Sequence, residues 1–144
     1  MRKFLLSIIL IASAYGYIQN TAVPLPVLST SIEGNNQLLE DAFKNQKSNF
    51  QVKGEGIVIK LISDDLDGSK HQRFIIKLSS GQTLLIAHNI DLAPRIGSLQ
   101  KGDLIMFYGE YEWNSQGGLI HWTHHDPSGH HVGGWIEHDG KIYQ

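Results

Sequence analysis

Six of the eight histidines in this chain of 144 residues fall between His121 and His138. The densest stretch reads His121-Trp122-Thr123-His124-His125-Asp126-Pro127, followed by Gly129-His130-His131 and then His138. Neutral imidazole binds zinc, copper or nickel well, and a carboxylate such as Asp126 can complete the coordination. Side chains at odd separations on an extended strand point to opposite faces, so His121 and His124 cannot share one. His124 and Asp126 can, with Cα atoms about 6.6 Å apart. Chelation then requires the chain to bend at Asp126-Pro127 and bring His130, His131 or His138 back. No His-Glu-x-x-His pattern is present. His121, His124, His125, Asp126 and His138 are therefore the candidate metal ligands. The plainer alternative makes several of them turn or surface residues, with Trp122 packing.

A second constellation lies just upstream. Glu110 and Glu112 alternate beside Trp113, and residues 114–118 (Asn-Ser-Gln-Gly-Gly) read as a hairpin loop. If that loop pairs Trp113 with Leu119, Glu110 lies opposite Trp122 and Glu112 opposite Ile120. One face of the sheet then carries Tyr108, Glu110 and Glu112 near Trp122 and His124. Two carboxylates beside an imidazole suit acid–base work or metal binding. The plainer alternative is a solvated face, and a slip of one residue in register removes the expected juxtaposition. In the segment from His88 to Arg95, Asn89 and Asp91 have the chemistry to cap a turn. Arg95 either holds Asp91 or presents a fork to a carboxylate or phosphate. Glu110, His124 and Arg95 are the candidates for catalysis, and Glu112, Trp113, Trp122, His88 and Asp91 those for a small polar ligand. Asp64, Asp65 and Asp67 lack the calcium-loop spacing and read as turn chemistry.

These groups need a scaffold, and residues 52–143 supply period-two patterning bounded by turn residues. Strands are expected at 52–62, 71–78, 82–88, 104–113 and 119–125. Gly54 and Gly56 mark a bulge or bend in the long first strand. Residues 89–103, with Pro94, Gly97 and Gly102, leave room for at most a short helix between the third and fourth strands. Leu38, Leu39, Ala42 and Phe43 predict a helix over 37–47, with Leu38 and Phe43 as core contacts and Asn35 or Asn36 as its cap. This is a mainly β class, best described as a small five-stranded OB-like Greek-key barrel with one N-terminal helix. Another small barrel or a sandwich is the competing architecture.

Composition bounds the rest. The chain is 41% hydrophobic and 18% charged, enough for a core and too little charge for a solvated disordered chain. The absence of cysteine excludes disulfides, thiol catalysis and thiolate-ligated zinc. Arg2 and Lys3, the apolar run Phe4 to Ile11 and Ala12-Ser13-Ala14 have the form of a secretory signal cleaved after Ala14. The 15 residues from Phe4 to Ile18 are short for a span of the membrane, which needs about 20. The expected organisation is a signal over 1–14, a linker over 15–36 and a β domain over 37–144. Membrane contact is expected only through the N-terminal segment if it stays uncleaved, and the localisation is the periplasm or cell envelope. Net charge is −2, becoming −4 once Arg2 and Lys3 are removed. With the basic residues scattered, the positive groove that single-stranded nucleic acid needs is missing.

Several longer motifs resemble one family. They are His71-Gln72-Arg73-Phe74, the run from Ala87 to Arg95, Tyr108-Gly109-Glu110-Tyr111-Glu112-Trp113-Asn114, the run from His121 to Pro127, Gly133-Gly134-Trp135-Ile136 and the final Tyr143-Gln144. Together they resemble the small bacterial proteins of domain-of-unknown-function family 3465 (DUF3465), from about Gln37 to the C-terminus. The resemblance implies a bacterial envelope setting and a compact β domain, and carries no activity or substrate. Ile90-Asp91-x-x-Pro94 bears a fainter likeness to thermonuclease-type OB enzymes, without their paired arginines. The expected function is a non-enzymatic domain of the envelope that binds a divalent metal ion (zinc, copper or nickel) or a small polar ligand. The alternatives are a metal-dependent hydrolase or phosphodiesterase with a His/Asp/Glu site, and a structural partner of another envelope protein.

Overall fold

The computed structural model describes residues 27–144, with side chains from Asn35 onward. The expected signal over 1–14 and residues 15–26 of the linker lie outside the described residues. Helix α1 (Val27–Lys44) begins well before the expected start at Gln37, so residues 27–36 are helix rather than linker. Pro24 and Pro26 both precede it and no proline follows within it. Its inward stripe is Asn36, Leu39 and Ala42, with Phe43 half-buried, whereas Leu38 is 46% exposed. Leu39 and Ala42, not Leu38, therefore enter the core, because a stripe at i, i+3 and i+6 leaves Leu38 on the flank.

Seven strands follow: β1 (Phe50–Asp65), β2 (His71–Lys77), β3 (Thr83–Asn89), β4 (Leu104–Glu112), β5 (Leu119–His121), β6 (Trp135–His138) and β7 (Lys141–Tyr143). The first five form a ring in the order β1-β2-β3-β5-β4, closed by pairing of β1 with β4. Closure depends on the length of β1. Residues Phe50 to Ile57 pair with β4, and from Ile57 onward the strand pairs with β2, with irregularities after Val58 and after Ile62. Gly54 leaves room for the Phe107 ring, which a Cβ there would meet at 2.5 Å, and the irregularities of β1 fall after Val58 and Ile62 rather than at the expected Gly54 and Gly56. β3 and β5 run parallel, and the other pairs are antiparallel.

Two expectations are corrected. β6 and β7 extend the sheet beyond β4, giving seven strands among the described residues where five were expected. β5 ends at His121 instead of continuing to 125, because Trp122 has φ of 52° and cannot carry the strand further. No helix occurs between β3 and β4. Val58, Phe74, Ile76, Leu84, Ile86, Ile105, Phe107, Tyr111, Ile120 and Ile136 fill the core, joined by Ile96 and Leu99 from the 90–103 segment. The Gln72 side chain ties that segment down, donating to the Ile96 carbonyl (3.0 Å) and accepting from its N–H (2.8 Å). Along β4 the residues alternate between core and outer face, which leaves Tyr108, Glu110 and Glu112 outside the ring.

Candidate metal centre

Register decides which imidazole meets the β4 carboxylates. β4 and β5 pair Glu112 with Leu119, Tyr111 with Ile120 and Glu110 with His121. The expected pairing of Glu110 with Trp122 is therefore displaced by one residue, and with it the face. Ile120 turns into the core and His121 turns outward beside both glutamates. A Cβ on Gly109 would lie 2.5 Å from the His121 carbonyl and 2.9 Å from Ile120 and Thr123, so β5 can approach only because this residue is glycine.

Glu110, Glu112 and His121 each offer one ligand atom, all within 4.8 Å of one another. His121 Nε2 lies 3.5 Å from a Glu110 oxygen and 3.7 Å from a Glu112 oxygen. Neither approach is a hydrogen bond, and this buried nitrogen has no partner. Four ligands at about 2.1 Å around a tetrahedral zinc ion stand about 3.4 Å apart, so these two separations fit a shared cation. Buried polar atoms without partners are uncommon, because each forfeits its hydration.

The chain after β5 returns to the same spot. His131 Nε2 donates to the second Glu110 oxygen at 2.6 Å, and its Nδ1–H donates to the Val132 carbonyl at 2.8 Å. Its ring lies flat on Trp122, with centroids 3.9 Å apart and planes 8° from parallel. Burial pushes the His131 pKa down, but the hydrogen bonds to Glu110 and Val132 and the Glu110 and Asp126 charges outweigh it, and the net shift is upward. Asp126 holds the loop. It accepts from the Ser128 N–H (2.9 Å) and hydroxyl (2.7 Å), and from the His130 (2.7 Å) and His131 (2.8 Å) N–H groups. The Ser128 hydroxyl, followed by these N–H donors, keeps its carboxyl well below the usual range.

The remaining sequence-derived candidates are dispersed. His124 is buried with Nδ1 donating to the His125 carbonyl (2.8 Å), and His125 is exposed. His138 bonds Asp103 at 2.8 Å, opposite Ile105 at the far end of β4 from Glu110. His88 is wholly buried, with Nε2–H donating to the Pro94 carbonyl (3.2 Å) and Nδ1 accepting from the Thr123 hydroxyl (2.9 Å). Desolvation lowers its pKa to about 4. Arg95 does not reach Asp91. Its guanidinium grips Asp64 at 2.7 and 3.2 Å, while Asp91 accepts from the Lys70 N–H at 2.8 Å. Trp113 spans from the sheet to α1, donating from Nε1 to the Phe43 carbonyl at 3.1 Å. Trp122, His121 and His124, with His71 and Asn89, line a cleft of ≈ 340 Å³ next to the triad. The structure thus brings together Glu110, Glu112, His121 and Trp122, and adds His131, which the sequence marked only as one of three histidines for a bend to bring back. Asp126-Pro127-Ser128-Gly129 was the signal for that bend, an Asx turn whose carboxylate points at its own loop.

A family model described as "Protein of unknown function (DUF3465)" matches residues 21–144. No curated protein matches the chain.

Proposed function

The chain belongs to the DUF3465 family of proteins of unknown function, and from its own geometry we propose that it is a non-enzymatic, divalent-cation-binding domain of the bacterial cell envelope. The carrying observation is the buried, partnerless His121 Nε2 flanked by two carboxylates at 3.5 and 3.7 Å. Imidazole and carboxylate together suit zinc, with copper and nickel as competitors. Carboxylates alone would suit magnesium or calcium, but the nitrogen shifts the preference to the borderline metals. The ring order β1-β2-β3-β5-β4 and the long, shared β1 support reading the scaffold as an OB-like Greek-key barrel. The basic N-terminus, apolar run and Ala12-Ser13-Ala14 support export with cleavage after Ala14.

Calorimetric titration of the metal-free protein with zinc, copper and nickel tests this reading. One ion per chain is expected. At an ion concentration 100 times Kd, binding adds about 2.7 kcal/mol to stability, or about 10 °C in melting temperature. No heat and no thermal shift with any of the three removes the metal-binding reading. A second reading, a metal-dependent hydrolase or phosphodiesterase, rests on the cleft that His121 and Trp122 share with the triad. Hydrolysis of phosphodiester or ester substrates that disappears in Glu110→Gln would favour it over the first.

A further inference from the structure

Whether the triad holds an ion or uses it depends on how many ligands the chain supplies, and the 126–132 loop bears directly on that. We propose that His131 is the fourth ligand, carried onto the site by the Asp126-pinned loop, so that the cation is enclosed by two histidines and two glutamates. The inference rests on the triad reading and deepens it.

Three observations carry it. First, His131 Nε2 is aimed at the carboxylate that the cation would share, 2.6 Å from Glu110 Oε2. Second, its other nitrogen already has the partner of a metal-bound histidine. Such residues almost always donate the second ring N–H to a carbonyl or carboxylate, which fixes the tautomer that offers a lone pair to the metal. Here Nδ1–H donates to the Val132 carbonyl at 2.8 Å. Third, several contacts hold the His131 segment against the site. The ring is stacked on Trp122, the backbone N–H of His131 donates to Asp126, and Gln51 donates to the same Val132 carbonyl at 3.1 Å. The other end of that Gln51 amide, Oε1, is another of the five buried side-chain atoms without a partner among the described residues, and it sits on the residue opposite Glu110 in β1. To ligate an ion shared with Glu110, His131 would give up to solvent the proton it donates to Oε2, and the two atoms, now 2.6 Å apart, would part to the roughly 3.4 Å that separates two ligands of one tetrahedral ion.

The ligand count separates two classes of function. A zinc ion with three protein ligands keeps a position for water and can hydrolyse, whereas four protein ligands close the site. A centre closed by His131 holds its ion and activates no water.

Cobalt(II), a coloured substitute for zinc, reads coordination number directly. The whole metal-free chain titrated with cobalt(II) is expected to develop the intense visible absorption of a four-coordinate centre. In His131→Gln the absorption per bound ion falls, and zinc affinity drops by more than the roughly 10–100-fold that loss of an outer-shell partner of Glu110 would cost. In His121→Ala binding is lost. Weak, six-coordinate absorption in the unmodified protein overturns the proposal even if the variant fails to fold. So does zinc affinity in His131→Gln that equals or exceeds the original while His121→Ala still abolishes binding, a result that leaves the triad standing. Failure of the unmodified chain to bind either ion overturns both this proposal and the reading it rests on.

Discussion

Burial keeps His88 neutral, and this has a defined effect on stability. Desolvation lowers its pKa from 6.5 to about 4 in the fold. The unfolded chain therefore takes up a proton as pH falls through 6.5 that the folded chain refuses until about 4. Stability is full above the first value and is lost between the two, by about 3 kcal/mol at 1.36 kcal/mol per pKa unit. Denaturant midpoints measured from pH 7 to pH 4 are expected to fall accordingly. His88→Leu should flatten that dependence and cost about 1–3 kcal/mol at pH 7, by leaving the Thr123 hydroxyl and Pro94 carbonyl unpaired. Asp126 and Asp103, both held below the ordinary carboxylate range, add a separate loss at more acid pH. His131 has the opposite sign. Its raised pKa makes its contact with Glu110 a contribution present below 6.5 and lost as pH rises through the folded value. Zinc affinity should decline as pH falls, because His131, whose pKa is raised above 6.5, takes up the proton that a ligand must lose, which calorimetry at two pH values measures. The residue types at the site were legible in the sequence, but His121 was selected over His124 by which of them turned outward.

At the scale of elements, the seam between β4 and β5 sets the site. Period-two patterning located both strands, yet patterning alone cannot distinguish registers one residue apart on a segment as short as β5 (Leu119–His121). The outcome was decided by Ile120, which enters the core opposite Tyr111, and by the left-handed Trp122 that ends the strand. Gly109→Ala should push β5 away, because its Cβ would meet the His121 carbonyl at 2.5 Å. Loss of at least a tenfold factor in zinc affinity, with a drop of about 1–3 kcal/mol in stability, is expected from calorimetry and urea unfolding. The loop makes a second test. Asp126→Ala leaves the Ser128, His130 and His131 N–H groups without their acceptor. Amide exchange at these residues should accelerate while exchange in β4 stays slow, because the loop is pinned locally and the strand is held by three neighbours.

At the scale of the whole molecule, β6 and β7 are part of the fold. Ile136 is fully buried and Tyr143 nearly so, and β6 covers the half of β4 that β5 leaves open. Truncation after Val132 should therefore unfold the domain, read as loss of a cooperative thermal transition, whereas a dispensable tail would leave it intact. Export predicts that mature protein from the cell envelope begins at Tyr15, which mass spectrometry of the intact chain checks. The sequence alone determined the β class, the positions of the first four strands to within a few residues and the types of ligand available. All of these follow from local periodicity and turn chemistry. The early start of α1, the two added strands, the ring closure and the meeting of Glu110, Glu112, His121 and His131 were decided only in the tertiary structure. They depend on which segments bury their apolar faces against each other, and a free energy shared among residues more than a hundred positions apart leaves no local pattern to read.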